Sequence, residues 1–343
     1  LIAILLASAD AMAQMAGFTL TGDPASANGA TWSYQQTIDG TVYDLRGVLL
    51  KPPGSGAFPA VIINHGTGGN ANGYSRTMAR NMVRWGYVCI ATNYCHAAGV
   101  PIGSPGDTSQ IHFGASTSNY QRGMKCWDIL ASLRYVDTNC IMAFGHSRGA
   151  YLTTGLVATF PSKFSAAGHT AGGLSMQSGF SAPTPELAAK ITCPYIIHHG
   201  DADNVVPIAM DSLLQSVLLA TGVTHKFFRY SGYTHSSISQ DSLMLARTHE
   251  WFSTNGCSVS TSVGTSCCND ELVLFPNPAA HMIQFNAARP VECRLYDFTG
   301  QLLFSRLVMP SEQIDVSYLS DGVYTASTIF DGALLHHKLI IRK

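Results

Sequence analysis

Between about Tyr43 and Phe252, short unbroken apolar runs alternate with longer stretches in which apolar residues recur every three or four positions. Ala60-Val61-Ile62-Ile63-Asn64 is too short for a core helix and predicts a buried strand; Ser75 to Trp85 predicts a helix. The same reading gives strands at Val88 to Ala91, Ile141 to Phe144, Pro194 to Ile197 and Lys226 to Tyr230. It gives helices at Tyr120 to Tyr135, Ile208 to Ala220 and Ser242 to Phe252. Strands that are apolar at successive positions must be covered on both faces. The alternation therefore predicts an α/β fold, a mostly parallel sheet with helices on each side.

The pattern changes at both ends. Residues 254–269 are rich in Ser, Thr, Gly and Cys and read as a linker. Short strand-like runs follow at Leu272 to Phe275, Cys293 to Tyr296 and Val323 to Ile329, separated by the turn pairs Asn277-Pro278, Thr299-Gly300 and Asp321-Gly322. They predict a small C-terminal all-β domain. At the start, the apolar run Leu1 to Ala7 is too short to cross a bilayer, and Ala11-Met12-Ala13 offers small residues for signal cleavage before Gln14. The expected organisation is a secretory signal remnant at 1–13, an α/β domain at 14–253, a linker at 254–269 and a β-sandwich-like domain at 270–343.

Hydrophobic residues make up 46% of the 343 residues and charged ones 12%, enough apolar material for a substantial core. A net charge of −1 leaves no electrostatic footprint for nucleic acid, and no transmembrane segment is expected. Nine cysteines in an exported chain permit disulfides. Cys257 is expected to pair with Cys267 or Cys268 and Cys95 with Cys126, whereas Cys89, inside an apolar run, reads as a buried thiol.

Gly145-His146-Ser147-Arg148-Gly149 carries the chemistry. In a chain with 32 glycines such a pentapeptide arises easily by chance, so the flanks decide. A strand leads in, and Leu152, Leu156 and Val157 mark a helix leading out. Strand, tight turn and helix make a nucleophile elbow, in which small flanking residues let strand and helix approach.

A serine hydroxyl needs a base, and the base needs an anion to orient it. On this architecture they follow the serine in the order acid, then histidine. His169, His198 and His199 precede every plausible acid; His225 opens a strand, and His249 lies within the last helix. His235, in a turn-rich loop at a strand's C-terminal end, is the base. Glu186 and Asp211 fall in helical patterns, leaving Asp201 and Asp203, which spacing alone does not separate. Two backbone N–H groups should stabilise the oxyanion, one from Arg148 and one from Thr67 in His65-Gly66-Thr67-Gly68-Gly69. No metal-ligand spacing stands out among the histidines, and no metal or organic cofactor is expected.

Taken in order, His65-Gly66-x-Gly68-Gly69, Gly145-x-Ser147-x-Gly149, Gly200-x-x-Asp203-x-x-Val206-Pro207 and Gly232-x-x-His235 resemble the α/β-hydrolases of the dienelactone hydrolase, prolyl oligopeptidase and polyester-hydrolase branch. The resemblance covers about residues 40–252 and implies the α/β-hydrolase fold and Asp203 as the acid. Arg148 departs from the Met, Gln or Leu often found after the serine. The tail, with Phe275-Pro276-Asn277-Pro278, Leu295 to Gly300 and Gly322-Val323-Tyr324, resembles the C-terminal sorting domain of the type IX secretion system. That resemblance implies a Bacteroidetes-type bacterium, contact with the secretion machinery and a secreted or cell-surface location.

The expected activity is hydrolysis of small or polymeric carboxylic esters by a Ser-His-Asp triad through an acyl-enzyme. A prolyl-oligopeptidase-type peptidase and a non-catalytic surface binding protein are the alternatives. Residues 95–118, rich in Gly and Ser, are expected to border the pocket, with Phe113 or Tyr120 as possible lining.

Overall fold

A computed structural model describes residues 15–38, 40–98, 113–175, 181–257, 272, 274–285, 291–309, 312–330 and 333–343. The expected signal remnant, Cys267, Cys268 and most of the Gly/Ser-rich insert lie outside the described residues. The chain divides after Val259 into two compact units.

The first unit is built on a nine-stranded sheet. An antiparallel meander of β1 (Phe18–Thr21), β2 (Ala30–Ile38) and β3 (Thr41–Leu50) forms one edge. The meander joins antiparallel to β5 (Val88–Thr92). From there β4 (Phe58–Asn64), β6 (Val136–His146), β7 (Ala167–Thr170), β8 (Tyr195–Gly200) and β9 (His225–Tyr230) continue in parallel. The helices are α1 (Arg76–Arg84), α2 (Thr117–Ser132), α3 (Arg148–Thr159), the single turn α4 (Pro185–Ala188), α5 (Ile208–Ala220) and α6 (Ser242–Asn255).

Strand pleating sorts the apolar runs into two cores. Ala60 and Ile62 of β4 and Ile141 and Ala143 of β6 face Ile129 and Leu130 of α2, Leu156 and Val157 of α3, and Leu214 and Leu218 of α5. Their sequence neighbours Val61, Ile63, Met142 and Phe144 face Met78 and Met82 of α1 and Met244, Trp251 and Phe252 of α6. This is why these strands show no polar alternation in sequence. The meander and β7 were not among the predicted elements. β7 is only Ala-Gly-His-Thr, and its burial depends on neighbours rather than on its own hydrophobicity.

Two expectations about cysteine are corrected. Cys257 is bonded to Cys140 within β6, with a Cα–Cα distance of 5.3 Å, rather than to Cys267 or Cys268. Cys95 and Cys126 are both free and buried, as is Cys89. Since α6 runs to Asn255 and Cys257 is tied to the sheet, residues 254–257, expected in the linker, belong to the first unit. Asp137, Cys140 and Cys257 bring three potential metal ligands together, but two of them are the joined sulfurs.

The second unit is all β. It contains a three-stranded sheet of β10 (Leu274–Phe275), β11 (Met282–Phe285) and β14 (Ile314–Asp315). A four-stranded sheet is formed by β12 (Val291–Tyr296), β13 (Leu302–Val308), β15 (Gly322–Phe330) and β16 (Ala333–Ile341). Its core includes Ile283, Phe285, Cys293, Leu295, Val316 and Leu339. Asn277 ties the Pro-rich motif to the last strand by donating to the Lys338 carbonyl at 2.5 Å and accepting from the Ile340 N–H at 2.9 Å.

The Cys140–Cys257 bond closes a sequence separation of 117 residues. In the chain-entropy model a loop of that size stabilises the native state by about 5 kcal/mol. Replacing Cys257 with Ser should therefore lower the first unit's unfolding free energy by several kcal/mol, read from the denaturant midpoint. An unchanged midpoint would show that the bond contributes nothing.

Candidate active site

Four loops meet at the C-terminal ends of β4, β6, β8 and β9. At the end of β6 the chain turns straight into α3, and Ser147 adopts φ 58° and ψ −123°. A non-glycine residue there is strained by about 1–3 kcal/mol. The turn is held by the Ser147 N–H, which donates to the Thr170 carbonyl of β7 at 3.0 Å, and by the Ala150 N–H, which returns to the Ser147 carbonyl at 2.8 Å. The flanking glycines are required by crowding. A Cβ on Gly145 would collide with the Gly149 carbonyl and the Thr153 hydroxyl; one on Gly149 would collide with the Asn64 carbonyl at the end of β4.

Three of the predicted side chains come together. The Ser147 hydroxyl lies 2.9 Å from His235 Nε2, and His235 Nδ1 lies 2.7 Å from Asp203 Oδ2. The other Asp203 oxygen accepts from the Val205 and Val206 N–H groups at 2.8 and 2.9 Å. Burial alone would raise the Asp203 carboxyl. The Val206 N–H, the His235 ring and the Val205 N–H outweigh it and hold the group below the usual carboxylate range. Asp201 is exposed and turned elsewhere, accepting from the Gly232 N–H at 2.7 Å. Position in the loop thus separates two acids that spacing does not.

The loop after β4 lies against the elbow, with Gly66 packed on the Ser147 Cβ. Its anchor is His65, fully buried, whose Nδ1 faces the Gly66 carbonyl at 3.0 Å and whose Nε2 accepts from the Tyr94 N–H at 3.2 Å. The His65 carbonyl in turn faces His96 Nε2 at 2.8 Å. Burial lowers His65 to about 4, so it is a neutral strut. Thr67 is exposed on this loop, and the Arg148 N–H stands in the first turn of α3, where backbone donors lack intrahelical acceptors.

Neighbouring aromatic and cationic groups complete the surroundings. His146 packs on His235 with ring centroids 4.9 Å apart and reaches the Thr170 hydroxyl at 2.8 Å. Burial pushes it down to about 3, so it supports the neighbouring ring as an uncharged group. The Arg148 guanidinium lies over Phe113 at 4.9 Å, and its Nη1 is buried without a hydrogen-bond partner among the described residues. Tyr120 packs against Gly155 of α3.

Asp211, set aside in sequence because it falls in a helical pattern, is fully buried on the inner face of α5 beside His169 and His199. Its spacing to Leu214 and Leu218 along one apolar helix face was the available signal.

A mostly parallel sheet with a strained serine elbow and helices on both faces defines an α/β-hydrolase. Residues 45–250 match the dienelactone hydrolase family, and the chain belongs to that family. Residues 273–342 match a secretion system C-terminal sorting domain, which directs export to the cell surface or beyond. No helix among the described residues is long and apolar enough to cross a membrane. No curated protein matches the sequence. Among solved structures, the fold is similar to dipeptidyl peptidase 4 of Porphyromonas gingivalis (TM-score 0.53, 13% identity, 70% of this chain and 42% of that one). It is similar to Pyrococcus horikoshii acylaminoacyl peptidase (0.53, 14%, 65% and 41%). It is also similar to a cold-adapted esterase from an Arctic intertidal metagenomic library (0.53, 17%, 66% and 94%). The chain thus spans less than half of either peptidase.

If the Ser147 backbone is strained, Ser147→Gly should relieve about 1–3 kcal/mol, against about 1 kcal/mol of added chain entropy. Its melting temperature should be at or above that of the parent. A clear drop would show that the elbow is relaxed.

Proposed function

We propose that the protein is an exported serine hydrolase of carboxylic esters in which Ser147 is the nucleophile, His235 the general base and Asp203 its orienter. The hydrogen-bonded line from Ser147 through His235 to Asp203 carries this reading, because both separations fall within proton-transfer reach. As Ser147 Oγ attacks the ester carbonyl, its proton passes to His235 Nε2, while Asp203 keeps the other ring proton on Nδ1. The Thr67 and Arg148 N–H groups receive the developing oxyanion. His235 then protonates the departing alkoxide, leaving an acyl-Ser147. A water deprotonated by the same ring releases the acid and restores the serine. The reaction so drawn needs no metal or organic cofactor.

A turnover panel of nitrophenyl esters of increasing chain length, an aromatic polyester and a prolyl amide tests the substrate class. Preference for the amide would turn the reading to a peptidase, and binding without turnover to an adhesive module. Ser147→Ala should lower ester turnover by roughly 10⁴-fold or more with the fold intact. Asp203→Asn should lower it by about 10⁴-fold and Asp201→Asn far less, since only Asp203 meets His235. Near-normal turnover by folded Ser147→Ala protein would end the mechanism.

The groups assigned to catalysis all precede Cys257, so we read the first unit as the catalytic domain and the tail as its address. A chain ended just after Cys257, keeping the bond to Cys140, should retain its kcat/KM on a small soluble ester. In the native host it should stay in the periplasm. Loss of activity in folded truncated protein would place part of the site in the tail; normal export would show that the tail is not the sorting signal.

A further inference from the structure

Behind the site, His169 of β7, His199 of β8 and Asp211 of α5 form a buried cluster in which no residue exposes any surface. Each Asp211 oxygen meets one ring: His169 Nε2 is 2.7 Å from Oδ1 and His199 Nδ1 is 2.6 Å from Oδ2. The Gly172 N–H donates to Oδ2 at 3.3 Å. The far nitrogen of His199, Nε2, lies 2.9 Å from the Val206 carbonyl oxygen. It also lies 3.3 Å from Asp203 Oδ2, the oxygen that faces His235.

A neutral imidazole offers one donor and one acceptor. The Val206 carbonyl can only accept, so His199 Nε2 carries a proton. Nδ1 then faces either an ionised Asp211, with a second proton on the ring, or a neutral carboxylic acid that donates to it. The donors converging on Asp211 favour its ionised form. His169 Nε2 is one of these partners, and its Nδ1 has the Tyr195 hydroxyl at 2.8 Å, which in turn has Thr154 at 2.7 Å.

We propose that His199 is a buried imidazolium held between Asp211 and Asp203, a positioning residue that balances the charge of the carboxylate behind His235. Its effect on rate rests on the triad reading above; its charge state does not. Burial pushes the His199 ring down, but the hydrogen bond and charge of Asp211, the Val206 carbonyl and Asp203 together raise it. Asp211 is held low despite its burial, by His169 and by His199. Nearby, burial holds His198 of β8 down to about 3 and raises the Tyr195 hydroxyl, so neither is charged. Tyr151 of α3 is raised by burial and by Asp211, so it is uncharged. Arg229, the register partner of His199 on β9, is exposed and reaches the Ser212 hydroxyl at 3.3 Å.

The direct test is ¹⁵N NMR of histidine-labelled full-length protein, with His199 assigned by comparison with His199→Gln. Both ring nitrogens of His199 should keep their protons at a pH where a free imidazole has already become neutral. Asp211→Asn should convert the ring to a neutral form. A neutral His199 in the unaltered protein overturns the proposal, whatever the protein hydrolyses. Where His199→Gln folds, the positive charge beside the triad carboxylate is lost. The acid limb of the kcat/KM profile should then move upward by about 1 pH unit. A fall in rate with the limb unmoved would show that His199 only fills space and would overturn the positioning role.

Discussion

The structure depends on how closely three pieces of backbone approach one another around Ser147. The end of β4, the end of β6 and the first turn of α3 meet where not even one extra methyl group fits at positions 145 and 149. That crowding goes with the positive φ of Ser147, whose hydroxyl meets His235. The Thr170 carbonyl of β7 then fixes the turn from the other side. Parallel pairing of β4, β6 and β7 therefore sets the elbow, and the elbow sets where the loops after β8 and β9 must bring their side chains.

Burial acts differently on each histidine near this point, and the partners decide the outcome. His65 and His146 meet carbonyls, hydroxyls and other rings, so loss of water makes them neutral supports. His199 is also removed from water, yet it lies between two carboxylates and is raised instead. The same residue type thus supplies rigidity on one side of the nucleophile and charge on the other. The first effect follows from desolvation and the second from direct pairing.

Much of the fold and the site was legible because it follows from local rules. Doubly covered strands such as Ala60 to Asn64 announce themselves by unbroken hydrophobicity, and the Gly-x-Ser-x-Gly turn has a steric reason that the flanking strand and helix make specific. The helix Ile208 to Ala220 was read with its ends in place. What was missed depends on distant partners. β7 is a strand because β6 and β8 lie beside it, and nothing in Ala-Gly-His-Thr says so. Asp203 and Asp201 sit two positions apart in one loop, and only the path of that loop turns one towards His235. Asp211 was hidden by a correct inference, its helical pattern, which says nothing of whether an acid faces water or the core. The cysteine pairing failed for the same reason, since the bond joins residues far apart in sequence.

That bond also determines how the first unit responds to a pull on its C-terminal end. A tension applied beyond Cys257 does not peel α6 away turn by turn, because the sulfur bridge carries the load to Cys140. Cys140 belongs to β6, which lies in the middle of the sheet between β4 and β7. The load then reaches a strand that is hydrogen-bonded to a neighbour on each side. Whatever draws the tail forward therefore pulls on a crosslink into the sheet rather than on a loose helix end.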